Sequence, residues 1–404
     1  MNLYVHFPFC RTRCSYCSLY SRAGRPESER NAYAHRVADA IASLRAAPSG
    51  TDPSALGTDP SVLGTDPSAL GTDPSAPGTV PLSFKTIYFG GGSPALCDLK
   101  PVFDSLNWGQ TPSGWGQSPS GWGQTPEFTV ELHPLDVSQE LLETLKAGGV
   151  NRISMGIQSL DDDILADMGR GYTFAEAERA FAAVKAVFDN AGIDLIVGYP
   201  GEKMAILPQH KRLADWGLRH CSVYSLQNER HLANVVDDDT VLDRISETAE
   251  FLRGIGLVRY EISNYAVPGY ECQHNMSVWR GEDYIGIGDG ACGRIGLRRT
   301  RNFWGLSPSH PPPKRGLSPS AGGLSPPKRG LSPCEEWVDE EFDEKERRLF
   351  RLRTTEGLDA TGHSEWGQAL GRFVSEGLLT RDGNIYRLTA RGTEVCDFIL
   401  SELA

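Results

Sequence analysis

The chain has 404 residues, 39% of them hydrophobic, enough for one large core and a smaller one, since single cores stop growing near ~250–300 residues. A formal net charge of −12 offers no general basic field to a phosphate backbone, so nucleic acid is not an expected partner. No apolar run reaches the ~20 residues of a spanning helix, and MNLYVHFPFC lacks the charged-then-apolar order of a secretion signal, so a cytoplasmic chain with no transmembrane segment is expected.

From the N-terminus onward, short β-branched runs alternate with stretches whose apolar residues recur at helical spacing. Strands are predicted at 3–7, 86–89, 129–132, 152–156, 194–198 and 221–226, and helices at 29–45, 138–147, 174–190 and 240–254. That alternation implies parallel strands joined by crossover helices. The expected fold is therefore α/β, an incomplete (β/α)6 TIM-like barrel over residues 1–303, with its site at the C-terminal ends of the strands. Low-complexity repeats interrupt it: GTDPSAL units at about 48–79, WGQTPSG units at about 108–126, and GLSP and PPKR units in a linker at 304–333. Pro and Gly in the units argue against a coiled coil, and disordered insertions are expected, the alternative being a binding module on the repeated Trp108, Trp115 and Trp122. After residue 333 a charged helix is predicted at 335–352, another at 365–376, then a hairpin turning at Asp382-Gly383 and a final helix. Residues 334–404 thus read as a small winged-helix-like α+β domain, and without a dense basic stripe its role reads as protein contact or lid.

Nine cysteines is an odd count, and three of them, Cys10, Cys14 and Cys17, fall within eight residues, which argues for a metal site over a disulfide framework. The CxxxCxxC spacing lets one loop wrap three soft thiolates around a single [4Fe–4S] cluster and leaves one iron open. A structural zinc would want a fourth closed ligand. The open iron can chelate S-adenosylmethionine (SAM) through its amino and carboxylate groups. Gly90, Gly91 and Gly92 follow a predicted strand, and without Cβ atoms their backbone admits a ligand closely.

The ordered set LYVHFPFCRTRCSYC, IYFGGGSP, FTVELHP, RISMGIQS, MGRGYT, DLIVGYPGE and RYEISNYAVPGYECQHN resembles the radical SAM superfamily, in particular the oxygen-independent coproporphyrinogen III oxidase-like family and its haem chaperone branch. The resemblance implies a cluster on Cys10, Cys14 and Cys17, and SAM against Gly91, Gly92, Ser93 and Glu131. Gln158, Arg170 and Asp194 match positions that contact a second SAM in the oxidases, and Tyr4 and Tyr16 match aromatic flanks of the cluster. The oxidases carry a further Cys two residues after the motif and an N-terminal extension; here Ser18-Leu19 follows Cys17 and nine residues precede Cys10, which points to the chaperone branch. That branch implies binding of haem or another porphyrin, delivery to an acceptor haem protein, and a reductant for the cluster. Its haem-linked HNxxYW segment is nearly reproduced by CQHNMSVW, with Val278 in place of Tyr. His274 is then an axial haem ligand or a satisfied structural histidine, Trp279 a flat apolar wall, and Cys272 a second ligand to consider. The alternative activity is oxidative decarboxylation of coproporphyrinogen III; a methyl-transferring relative is a third reading. Cys97, Cys221, Cys292, Cys334 and Cys396 read as small buried apolar residues.

Overall fold

The computed structural model of the chain describes residues 1–46, 84–106, 126–202, 211–227, 232–296, 298–301, 337–339 and 344–404. The repeats at 48–79 and 305–333, and all of 108–126 except Pro126, lie outside the described residues.

Six strands run parallel in chain order: β1 (Asn2–Phe7), β2 (Thr86–Gly91), β3 (Glu127–Leu132), β4 (Arg152–Gln158), β5 (Ala191–Val197) and β6 (His220–Ser225). A seventh, β7 (Tyr284–Ile287), pairs parallel with the outer edge of β1, a strand the sequence reading lacks. Antiparallel strands extend both edges: Cys292–Ile295, Arg298–Arg301 and Trp337–Asp339 beyond β7, and Asn264–Ala266 and Val258–Arg259 beyond β6. Among the described residues no pairing joins the two edges, so the barrel is incomplete, as expected.

The period of two along each strand separates two environments. Leu3, Val5 and Phe7 of β1, Ile87 and Phe89 of β2, Phe128 and Val130 of β3, and Ile153, Met155 and Ile157 of β4 are fully buried in the main core. Helices cover that face: α1 (Glu27–Ala46), α2 (Lys100–Leu106), α3 (Gln139–Ala147), α4 (Phe174–Val187) and α5 (Asp238–Gly254). The alternate residues, Tyr4 and His6, Tyr88, Thr129 and Glu131, Arg152 and Ser154, Asp194, and His220 and Ser222, give the lumen a polar lining. Helix starts follow their caps: the Ser138 hydroxyl accepts from the Leu141 amide, and Thr173 and Glu176 form a reciprocal capping box.

Two boundaries of the barrel elements lie three residues from expectation, the widest differences among them. Strand β5 starts at Ala191 rather than 194, and α4 stops at Val187 rather than 190. Ala191-Gly192 falls between the predicted helix and strand, yet Gly192 pairs with His220, and a Cβ there would lie 2.7 Å from the His220 carbonyl oxygen. The helix predicted at 335–352 is also corrected. Trp337–Asp339 is a strand whose backbone pairs with Arg298–Arg301, and among the described residues of that span the α-helix is Glu344–Leu349, followed by a 3-10 turn at Phe350–Arg353. An available sheet edge overrides helical spacing in a short charged segment. The remainder is a small α+β unit: helices Gly367–Ser375, Ala390–Glu394 and Cys396–Leu403 with a three-stranded sheet of Leu358–Asp359, Leu379–Asp382 and Ile385–Leu388. Its own core centres on Trp366, Leu370, Phe373 and Ile399, and the Trp366 indole donates to the Leu403 carbonyl at 3.1 Å. The hairpin turns at Asp382-Gly383, where Gly383 takes φ +59°.

Candidate functional site

Past Phe7, the chain leaves β1 through Pro8 and pairs Phe9–Cys10 with Arg22–Ala23, closing a loop that carries Cys10, Cys14 and Cys17, all half-buried. Most of the loop's ties are made at its backbone and at residues other than the thiols. The Thr12 hydroxyl donates to the Gly169 carbonyl at 3.3 Å, and the Ser15 amide donates to the Met168 carbonyl at 3.2 Å. Tyr199 donates to Asp167 at 2.8 Å, so the Ser15 hydroxyl, 2.8 Å from the Tyr199 oxygen, is the donor in that pair. Arg11 pairs with the buried Asp136 at 2.5 Å, and Asp136 also accepts from the Ser93 hydroxyl. Gly92 backs the loop: a Cβ there would sit 2.3 Å from the Phe9 carbonyl and 2.9 Å from the Cys10 sulfur. Arg170 reaches in with Nη1 3.3 Å from the Cys14 sulfur. Burial, then the neighbouring Cys17 and Cys14, pushes the Cys10 thiol up to about 11. Three thiolates in this space therefore call for a compensating cation. Among the described residues no three ligating side chains converge on a single-ion site; thiolates of a cuboidal cluster each take a different iron and need no common point.

Inside the mouth, Gly91 adopts φ +106°, where a Cβ would lie 2.6 Å from the His6 ring. Its amide donates to Glu131 Oε2 at 3.1 Å, and the Tyr88 hydroxyl donates to Oε1 at 2.8 Å. The Ser154 hydroxyl donates to Asp194 at 3.0 Å. Gln158 sits at a β-bulge with φ +72°, a strained position for a residue with a side chain, and its amide folds over Gly156. Arg170 Nη2 donates to the Gly156 carbonyl at 2.6 Å and so links this bulge to the cysteine loop. Tyr16 packs with Met168 and Tyr199 beside it. The expected residues Cys10, Cys14, Cys17, Tyr16, Gly91, Gly92, Ser93, Glu131, Gln158, Arg170 and Asp194 thus share one barrel mouth. Tyr4 lies deeper, its hydroxyl 3.0 Å from His6 Nδ1 and its ionisation opposed by burial and by Glu131.

Burial, then Asp194, pushes Glu131 up to about 7. A folded-state pKa above the unfolded one means the folded chain holds this proton more tightly, so its contribution to stability falls as pH rises from about 4.5 to about 7. Glu131→Gln is expected to gain stability relative to wild type at about pH 8 compared with about pH 5 in melts of the cofactor-free chain. A difference independent of pH would contradict this assignment.

His274 is not at this mouth. It lies on helix α6 (Gln273–Trp279), beneath the N-terminal ends of the strands, 5% exposed. Asn2 donates its amide to the Asp283 carbonyl, so its oxygen accepts the Thr86 hydroxyl at 2.9 Å. Thr86 Oγ1 is then the acceptor for His274 Nδ1 at 2.8 Å, which leaves Nε2 as the unprotonated nitrogen. Burial holds the ring down at about 3, hence neutral. Glu127 anchors the helix start, accepting the Gln273 and His274 amides at 2.9 and 3.0 Å. From below, Phe350 and Arg353 cover Trp279, and Arg280 pairs with Glu356. Cys272 is fully buried beside Glu127; Cys97, Cys221 and Cys396 are buried as expected, Cys292 only half-buried, and Cys334 is outside the described residues.

A family model of the Radical SAM superfamily matches residues 84–214. Over 321 residues the chain is 30% identical to the haem chaperone HemW of Bacillus subtilis, covering 74% of this chain and 73% of that protein. The chain belongs to the HemW family of radical SAM proteins. A HemW of Mycobacterium tuberculosis is 28% identical across 100% of this chain and 94% of its own length, and that of Escherichia coli 28% across 73% and 70%. Among solved structures, the coproporphyrinogen III oxidase HemN of Escherichia coli superposes with a TM-score of 0.71 at 18% identity, over 100% of this chain and 89% of that one, a likeness of fold. The cofactors of radical SAM proteins are a [4Fe–4S] cluster and SAM. This mouth suits them, with three thiols on one loop, a glycine edge beside them and carboxylates within reach of a cationic ligand. His6, Asp136, Tyr199 and Ser154 also build the site and are missing from the sequence reading. Only the ELHP and GYP contexts after β3 and β5 hint at the second and third. No helix among the described residues is long and apolar enough to cross a membrane.

Proposed function

We propose that this chain is a haem carrier that delivers haem to an acceptor haem protein and holds its [4Fe–4S] cluster on Cys10, Cys14 and Cys17. The observation that carries this reading is the similarity to HemW proteins of separate bacterial lineages, one of them spanning the whole chain. SAM belongs against Gly91, Gly92, Ser93 and Glu131, with Gln158, Arg170 and Asp194 deeper along the mouth and Tyr4 and Tyr16 as aromatic walls. When bound, cluster and SAM supply one-electron cleavage of a sulfonium C–S bond. Arg170 positions the cysteine loop through Cys14 and Gly156, Asp136 clamps Arg11 to Ser93, and Glu131 offers the countercharge. Residues 334–404 act as a contact or lid module, with 304–333 as the linker, apart from the sheet strand at Trp337–Asp339. A cytoplasmic site of action follows from the same reading.

His274 is the haem ligand in this proposal. Its Nδ1–H is fixed by Thr86 and its Nε2 is the basic nitrogen, the arrangement of a metal-binding imidazole with an oriented second nitrogen. The residue is 5% exposed, so iron binding there requires a local rearrangement around it. His274→Ala is expected to keep the cluster, to lose or shift the Soret band of bound haem, and to cost ~1–3 kcal/mol by leaving buried polar partners unpaired. An unchanged Soret band and haem affinity would reject the ligand role. The second reading, decarboxylation of coproporphyrinogen III, rests on the HemN-like fold and predicts turnover without stoichiometric haem.

A further inference from the structure

A cluster on the cysteine loop must receive its electron from outside, and the loop has one face toward solvent. Arg11, Thr12 and Arg13 are exposed on it, Leu19 is 46% exposed, and Arg25 is exposed where the loop closes. Between Cys10 and Arg30 the chain carries five Arg and two Glu, a local charge of +3 in a protein of net −12. Part of that charge is neutralised: Arg11 faces Asp136, Arg22 faces Asp289 and Glu29, and Arg25 stands 3.8 Å from Glu29. Among the described residues, Arg30 donates to the carbonyls of Leu96 and Arg25 and has no carboxylate partner. Arg13 has no carboxylate within ion-pair distance among the described residues. Asp162, Asp163 and Asp167, on the segment that ends at the Gly169 carbonyl bonded to Thr12, put negative charge directly beside the loop.

We propose that the outer face of the cysteine loop, Arg11, Thr12 and Arg13 with Leu19 and Arg25, is the docking surface for an acidic one-electron carrier protein. This rests on the cluster assignment above. The carrier gives up one electron and the cluster gains it, with no other group transferred. Protein electron-transfer encounters are small, below about 1,200 Å2, and steered by charge, which suits a few cations around one leucine better than it suits a membrane surface. The acidic segment beside it sets the orientation by repelling the same partner.

The test uses the full chain with its cluster reconstituted, and follows bleaching of the cluster by stopped flow. The donors are a reduced flavodoxin of low isoelectric point and, separately, photoreduced deazaflavin, a small uncharged donor. Arg13→Glu with Arg25→Glu is expected to slow the flavodoxin reaction ~10-fold or more at low salt, with the gap closing at high salt. Reduction by deazaflavin should not change. Leu19→Ala is expected to slow the flavodoxin reaction several-fold at every salt concentration. Equal flavodoxin rates in wild type and the charge-reversed chain would overturn the docking surface. So would an equal loss with both donors, which would mean a damaged loop, or a loss confined to haem or anionic-vesicle binding, which would assign the patch to those ligands. A wild-type chain that deazaflavin cannot bleach would instead sink the cluster assignment on which the surface depends.

Discussion

Cys10→Ala, Cys14→Ala and Cys17→Ala together are expected to abolish the brown chromophore and reduce iron from about four per chain to none after anaerobic reconstitution. The fold should survive. The loop is held through Thr12, Ser15 and Arg11, none of which uses a thiol, and the main core lies on the opposite face of the strands. Far-ultraviolet circular dichroism and a cooperative melt check the fold, and iron analysis with the visible spectrum checks the cluster. A triple variant that keeps a full [4Fe–4S] spectrum would remove these cysteines from the site.

Gly92→Ala is the second large effect, because it probes the support of the cluster loop rather than its ligands. The added Cβ would fall 2.3 Å from the Phe9 carbonyl and 2.9 Å from the Cys10 sulfur, and the first of these is backbone that cannot swing aside. Either β2 or the loop must shift, at a cost of ~1–3 kcal/mol for overpacking. Cys10 moves with the loop. Iron content is expected to fall several-fold and SAM binding to be lost, with the melting temperature lowered only modestly. Full cluster loading and unaltered SAM affinity in Gly92→Ala would show that the loop stands off from β2 in solution.

The barrel was readable because its strands obey a period of two and its helices carry their caps in sequence, as at Ser138 and Thr173. Where a residue's conformation depends on a distant partner, that legibility ends. Gly192 falls in no predicted element yet joins a strand once His220 is beside it, and Trp337–Asp339 reads as helix until Arg298–Arg301 offers an edge. Strand β7 escapes for a related reason: YIGIGDG is too short and glycine-rich to announce a strand, yet β1 needs a parallel neighbour on its outer edge.

The site shows the same division. Cys10, Cys14, Cys17 and the Gly91-Gly92-Ser93 turn are local motifs, and they stand together in the fold. Asp136 and Tyr199 act by tying the loop to segments more than a hundred residues away in sequence, a relation no local pattern contains. His274 is the reverse case. Its sequence neighbours suggest a ligand, while the fold buries it at the far end of the strands, under the C-terminal unit. On the proposed function the two ends of the barrel have different tasks, with cluster and SAM at one and haem at the other, so variants at each end should act separately.

On the proposed function this radical SAM protein carries haem rather than consuming a porphyrin. Titrating haem into the anaerobic, cluster-loaded chain, with coproporphyrinogen III supplied in a parallel vessel, separates the two activities. A saturable Soret band at one haem per chain is expected, with no loss of carbon dioxide from the porphyrinogen. Decarboxylation of coproporphyrinogen III without stoichiometric haem binding would make the chain an oxidase instead.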